Sequence, residues 1–291
     1  MVNGRQYASC RVDLTRLSLF RIVLLGLFIP ALATASPITY VVSHSGQFGT
    51  VDLGTGAYTQ IGMGAGDLLG LGEGTDGALF SYTTNNQLVT INPLNGAETV
   101  VGNGFAGFST FSSLGNGELF GLDFDNNLYR VDPLTGRAIL IGPTGLPTKK
   151  GDNCPYADSL SGSANVLYYT LQLGTGCSST LDSTLFRIDP ATGATTVVGP
   201  TGVREIEGTG FVDQQLYGFS TSFQNGKEIY LIDTSTGKAT IDATQSASLD
   251  RVFGAVELDP PAAPEPGTAG LLALGLLLCG IAARSRIRRR R

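Results

Sequence analysis

The sequence predicts an all-β fold, a closed ring of five four-stranded antiparallel sheets, and three observations carry that prediction. The first is repetition. QLVTINPLNGAETVVG from Gln87, NLYRVDPLTGRAILIG from Asn127 and TLFRIDPATGATTVVG from Thr184 are copies of one unit, flanked by the looser QFGTVDLGTGAYTQIG from Gln47 and EIYLIDTSTGKATIDA from Glu228. The second is period. The anchoring residues Asp52, Asn92, Asp132, Asp189 and Asp233 are separated by 40, 40, 57 and 44 residues, the spacing of a β-propeller blade. The third concerns the ends. ITYVVS, from Ile38, matches the second strand of a unit whose first strand is missing, and DRVFGAVEL, from Asp250, matches a first strand with no second. Pairing the two closes the ring and leaves no blade edge open at the seam.

Within each unit the strands follow from residue types. Leu128, Arg130 and Asp132 alternate with Tyr129 and Val131, which predicts a strand with one buried face. The turn DPLTG follows. Proline presets φ at its second position, the Asp side chain accepts the turn's own amides, and Gly136 supplies positive φ before RAILIG. Upstream hairpins in LLGLGEGTDGALFSY and FSSLGNGELFGLDFD bring each unit to four strands. An open stack of hairpins and a six-bladed ring are the alternatives. The glycines of GMGAGDLLGLGEG read as turn and close-packing residues, since no helical pattern follows to complete a phosphate loop.

Both chain ends read as targeting segments. Arg5, Arg11, Arg16 and Arg21 precede or abut the apolar run Ile22 to Ala33, and Ala33-Thr34-Ala35 suits signal peptidase, so residues 1–35 are expected to be a signal peptide. At the other end a Pro-rich linker (260–266) ends in Pro264, Glu265 and Pro266. The uncharged run 267–283 follows, a transmembrane helix at the short end of the usual range. Arg284, Arg286, Arg288, Arg289, Arg290 and Arg291 then form a tail (284–291) that should stay cytoplasmic. This order of three elements resembles the PEP-CTERM sorting domain of exported bacterial envelope proteins. The resemblance implies that an exosortase-type membrane protease recognises Pro264, Glu265 and Pro266, with the precursor spanning the inner membrane once until it is processed. A permanent single-span anchor is the competing reading.

Between these segments lies the repeat domain, 36–259. Residues 36–263 hold 22 Asp plus Glu against 9 Lys plus Arg. So acidic a surface repels phosphate backbones and excludes nucleic acid as a partner. Cys154 and Cys177 fall in two loops of one blade, and an exported compartment permits a disulfide, which would add about 3 kcal/mol in the chain-entropy model. Free thiols are the alternative.

A meander sends its loops to two faces. The strand one to two turns and the DPxTG turns share one; the strand two to three hairpins and the crossovers share the other. Length variation concentrates on the second face, in GPTGLPTKKGDNCPYAD and QLGTGCSSTLDST, so a site is expected there. Phe105, Phe108, Tyr156 and Phe223 in or near those loops would stack on sugars or cover the core. The five Asp and Asn anchors are expected to cap their own turns. Asp123, Asp125, Asn126 and Asn127 have a faintly calcium-loop spacing without the glycine and glutamate of an EF-hand. Asp67, Asp158, Glu205 and Asp250 open first strands but stand out of register around the axis. His44, the only histidine, lies in a hairpin loop and would act as a general base only if a carboxylate or nucleophile approached it; an exposed loop histidine is the expected state.

These readings predict no cofactor, no metal centre and no catalysis. They predict an exported, envelope-anchored or secreted protein that binds an exopolysaccharide or another envelope protein. A cation-dependent propeller hydrolase or lactonase and a purely structural surface protein are the alternatives.

Overall fold

The computed structural model describes residues 36–64, 66–103, 107–147, 158–172, 181–220 and 227–257. The expected signal peptide, Pro-rich linker, transmembrane helix and arginine tail lie outside them, as do Cys154 and Cys177. The described strands form five four-stranded antiparallel sheets. The chain first lays down β1 (Ile38–Ser43), β2 (Gln47–Asp52) and β3 (Tyr58–Met63). The second blade is β4 (Gly72–Glu73), β5 (Leu79–Tyr82), β6 (Gln87–Ile91) and β7 (Glu98–Asn103). The third is β8 (Phe108–Ser113), β9 (Leu119–Asp123), β10 (Asn127–Val131) and β11 (Ala138–Pro143). The fourth is β12 (Asp158–Gly162), β13 (Leu167–Gln172), β14 (Ser183–Ile188) and β15 (Thr195–Pro200). The fifth is β16 (Ile206–Val212), β17 (Gln215–Ser220), β18 (Glu228–Ile232) and β19 (Ala239–Thr244). Finally β20 (Val252–Val256) returns to pair with β1, Tyr40 opposite Val256 and Val41 opposite Ala255, and supplies the first blade's innermost strand. The fold is therefore a five-bladed β-propeller, closed as the chain ends predicted.

Its hydrophobic core is divided into five clusters, one at each seam. Val42 and Phe48 meet Leu68, Leu71 and Val89 between the first two blades. Tyr82 and Leu88 meet Phe108, Phe111 and Tyr129 at the next seam, and Phe120 and Leu128 meet Leu160, Tyr169 and Phe186 at the third. Leu185 joins Ile206, Leu216 and Tyr230, and Val41 and Val51 close the ring against Val212, Phe219 and Ile229. Each middle strand is thus pressed between two neighbouring sheets. That corrects the one-sided alternation expected of Leu128 to Asp132: Leu128 is buried together with Tyr129 and Val131, and only Arg130 of β10 is exposed.

A bulge recurs at the same place in every blade, where the third strand meets the fourth: Phe48/Gly49, Leu88/Val89, Leu128/Tyr129, Leu185/Phe186 and Ile229/Tyr230. It accounts for the consecutive apolar residues of the repeat. Val100, Leu140 and Val197 point outward, whereas the extra residues Val101, Ile141 and Val198 pack against the seam clusters. A bulged outer strand is also a poor template for edge-to-edge pairing.

The glycine that ends each repeat has its own cause. A Cβ on Gly62 would lie 2.5 Å from the Asn95 carbonyl oxygen; on Gly102, 2.1 Å from that of Thr135; on Gly142, 2.9 Å from Thr192; on Gly199, 2.2 Å from Thr236. Each outer strand therefore presses its backbone against the DPxTG-type turn of the next blade. In the fifth blade Ala243 takes the equivalent place and the contact shifts to the Thr244 carbonyl, against Gly56.

Candidate functional site

At the axis the inner strands β4, β8, β12, β16 and β20 stand side by side, and their small residues let the backbones meet. Cβ atoms on Gly208 and Gly210 would collide with the carbonyl oxygens of Val252 and Ala255, and one on Gly162 with that of Ser113. Buried hydroxyls fill what remains. The Ser161 and Thr209 hydroxyls are 2.6 Å apart, the Thr209 amide donates to Ser159 Oγ, and the Glu73 amide to Ser113 Oγ. The space about the axis is thus occupied by Ser, Thr and Gly.

Above this floor, on the face of the strand one to two turns, the ring opens into a funnel of about 950 Å³, at the upper end of the range for ligand sites. Its walls are tight turns that lean on one another. Gly77 and Gly117 have positive φ in the second and third blades, and the Gly115 amide donates to the Ser163 carbonyl. The fifth blade contributes a two-residue turn, Asp213-Gln214, and the first contributes the end of β20 and Glu257. Tyr168 and Phe211 form a tilted aromatic pair, centroids 5.4 Å apart, with the Arg187 guanidinium 5.9 Å from the Tyr168 ring centre. Glu73, Glu257, Asn116 and Gln214 join several Ser and Thr residues in the polar lining, and among the described residues no basic side chain lines the funnel. Partly buried rings that pack on the seam cluster, two amides and two carboxylates suit a ligand with apolar ring faces and many hydroxyls, and repel an anion.

The anchoring turn residues accept amides of their own turns: Asp52 from Thr55, Asn92 from Leu94, Asp132 from Leu134, Asp189 from Ala191 and Asp233 from Ser235. The Ser36 hydroxyl bond foremost holds the Asp52 carboxyl below its ordinary range, the Leu134 amide does so for Asp132, and the Ser235 hydroxyl for Asp233.

The remaining candidates lie on the crossover face, and only His44 and Asp67 among them come together. Asp67 Oδ2 is 3.7 Å from His44 Nδ1, both groups near half exposed, and the imidazole packs edge-on to Phe253. Asp158 accepts from Tyr169 and Ser109. Glu205 has positive φ, and the Asp250 amide donates to Gln47. Asp123 accepts from the amides of Asp125 and Asn127, the Asn127 side chain and the Tyr129 hydroxyl, which occupies the lone pairs a calcium ion would need. Asn126 is spent on Pro147 and Tyr169. Among the described residues no group of three or more His, Cys, Asp or Glu is placed to hold a metal. Phe108 is core. Phe105, Tyr156 and Phe223 lie outside the described residues.

Sequence reasoning pointed to the variable-loop face, whose residues 148–157 and 173–180 lie outside the described residues, and did not anticipate the funnel on the opposite face. It missed Tyr168, Phe211, Gln214, Glu73 and Glu257, which belong to no shared motif. One signal was available: VDQQL makes the shortest hairpin among the described residues, and it does so without a glycine.

No family model and no curated protein matches the sequence. Solved structures of similar fold include a gluconolactonase of Xanthomonas campestris, 12% identical over 75% of this chain and 80% of that one, with a TM-score of 0.46. The PQQ-bound aldose sugar dehydrogenase of Streptomyces coelicolor is 16% identical over 60% of this chain, TM-score 0.43, and the match spans only 62% of that protein. A TolB of Agrobacterium tumefaciens is 13% identical over 72% of this chain and 71% of that one, TM-score 0.41.

Proposed function

We propose that this chain is an exported envelope propeller that acts by binding, without catalysis, and that its axial funnel takes a neutral glycan of the surrounding matrix. The observation that carries the reading is the lining of that cavity: an aromatic pair beside amides and carboxylates, with Arg187 against the Tyr168 ring but not among the described lining residues. On this reading the protein is made as an inner-membrane precursor, and Pro264, Glu265 and Pro266 present it to an exosortase-type protease. The test is retention of residues 36–263, which contain every strand of the closed ring, on an array of neutral and uronate-bearing oligosaccharides. Wild-type protein should be held by neutral hexose chains and not by uronates. Tyr168→Ala should weaken retention about tenfold, the scale of one lost stacking contact. No retention on any neutral chain would refute the proposal.

A further inference from the structure

The Asp213-Gln214 turn is the strained part of the funnel wall. Val212 pairs directly with Gln215, so two residues make the whole loop, and both have positive φ, 48° for Asp213 and 63° for Gln214. A loop of this kind is normally Asn-Gly, because a side chain in the left-handed region crowds the backbone. The equivalent turns of the second and third blades place glycine at their positive-φ positions, Gly77 and Gly117. Of the other non-glycine residues with positive φ, Asn86 and Asn126 are of the type that tolerates it, and Glu205, on the opposite face, is not. Gln214 is not either, and it lines the cavity. Across the seam where the ring closes, Glu257 Oε2 accepts the Asp213 amide at 2.7 Å, a charge-assisted bond that holds the loop in this shape.

We infer that Gln214 is a ligand-contacting residue that fixes the funnel's preference for neutral, hydroxyl-rich chains, and that Glu257 is its positioning residue; this rests on the glycan reading above. An amide both donates and accepts, so it matches a pair of sugar hydroxyls as no carboxylate or ammonium can. Glu73 and Glu257, which line the same funnel, turn away chains that carry carboxylates or sulfates. Backbone strain kept at a cavity wall is expected where the side chain it displays has a task.

The experiment compares 36–263 variants on the neutral oligosaccharide array, with melting temperature measured alongside. Replacing the turn by Asn-Gly (Asp213→Asn with Gln214→Gly) should raise Tm and lower affinity at least tenfold. Gln214→Ala should lower affinity similarly. Glu257→Ala should weaken binding, and Glu257→Gln, which keeps an acceptor for the Asp213 amide, should restore most of it. Wild-type affinity in both the Asn-Gly variant and Gln214→Ala would overturn the inference and leave the glycan reading standing. Failure of the wild-type protein itself to bind any neutral chain would overturn both.

Discussion

The outermost strand of each blade is nearly one sequence written five times, and the innermost is different every time. TQIG, TVVG, ILIG, TVVG and TIDA lie in β3, β7, β11, β15 and β19, whereas β8 reads FSTFSS, β12 DSLSG, β16 IEGTGFV and β20 VFGAV. The two regions answer to different neighbours. Every outer strand meets the same partner, the next blade's turn, so one solution of bulge plus small residue serves all around the rim. The inner strands converge on an axis where five backbones must share one narrow space, so each carries whichever glycine, serine or threonine its own neighbours leave room for. Regularity marks the scaffold; the irregular inner half builds the funnel.

Three measurements would break or sharpen this contrast. The largest effect is expected at the inner closure, where Arg251 bonds Glu207 with both ends of its guanidinium, at 2.7 and 2.5 Å, and these bonds raise the Arg251 pKa further above its ordinary value. Glu207 is 9% exposed and Arg251 43%. Arg251→Ala should cost about 2 kcal/mol in denaturant unfolding, below the ~3–5 kcal/mol for a fully buried pair because water reaches the arginine end. A cost near zero would mean that the closure rests on the β1 and β20 ladder alone.

At the rim, Gly102→Ala should cost about 1–2 kcal/mol, within the range for forced overpacking, because its Cβ would meet the Thr135 carbonyl at 2.1 Å. Gly142→Ala, with 2.9 Å to the Thr192 carbonyl, should cost distinctly less. Equal costs would show that the repeated contact yields freely and does not hold neighbouring blades in place.

The smallest effect concerns Tyr58 of β3, which packs on the closing cluster with its hydroxyl buried and unpaired among the described residues. Burial pushes its pKa up to about 12 from 10.0. The folded state then keeps a proton that the unfolded chain gives up. The associated stability is complete below about pH 10 and is lost as pH rises toward 12. Tyr58→Phe should leave Tm at pH 7 unchanged or slightly higher, as an unsatisfied hydroxyl is removed. It should also flatten the decline of Tm between pH 10 and 12; an unaltered alkaline slope would count against the burial of this group.

Residues 87–102, 127–142 and 184–199 by themselves determined the architecture, because a strand, a DPxTG turn and a second strand are local events that side-chain alternation, proline and glycine specify within a few residues. The orphan strand at Ile38 and its missing partner at Val252 likewise determined the closure, since a sheet edge left open in a ring has a single place to be filled. Only the tertiary structure decided that Leu128 is covered on the face that alternation left to solvent, and that Gly102 and Gly199 are seats for a neighbouring turn. It alone brought Tyr168, Phe211, Gln214 and Glu257 around one cavity. Those residues come from two blades and from the strand that closes a third, and what joins them is the packing of inner backbones about an axis, a relation between distant segments that no local pattern of residues records.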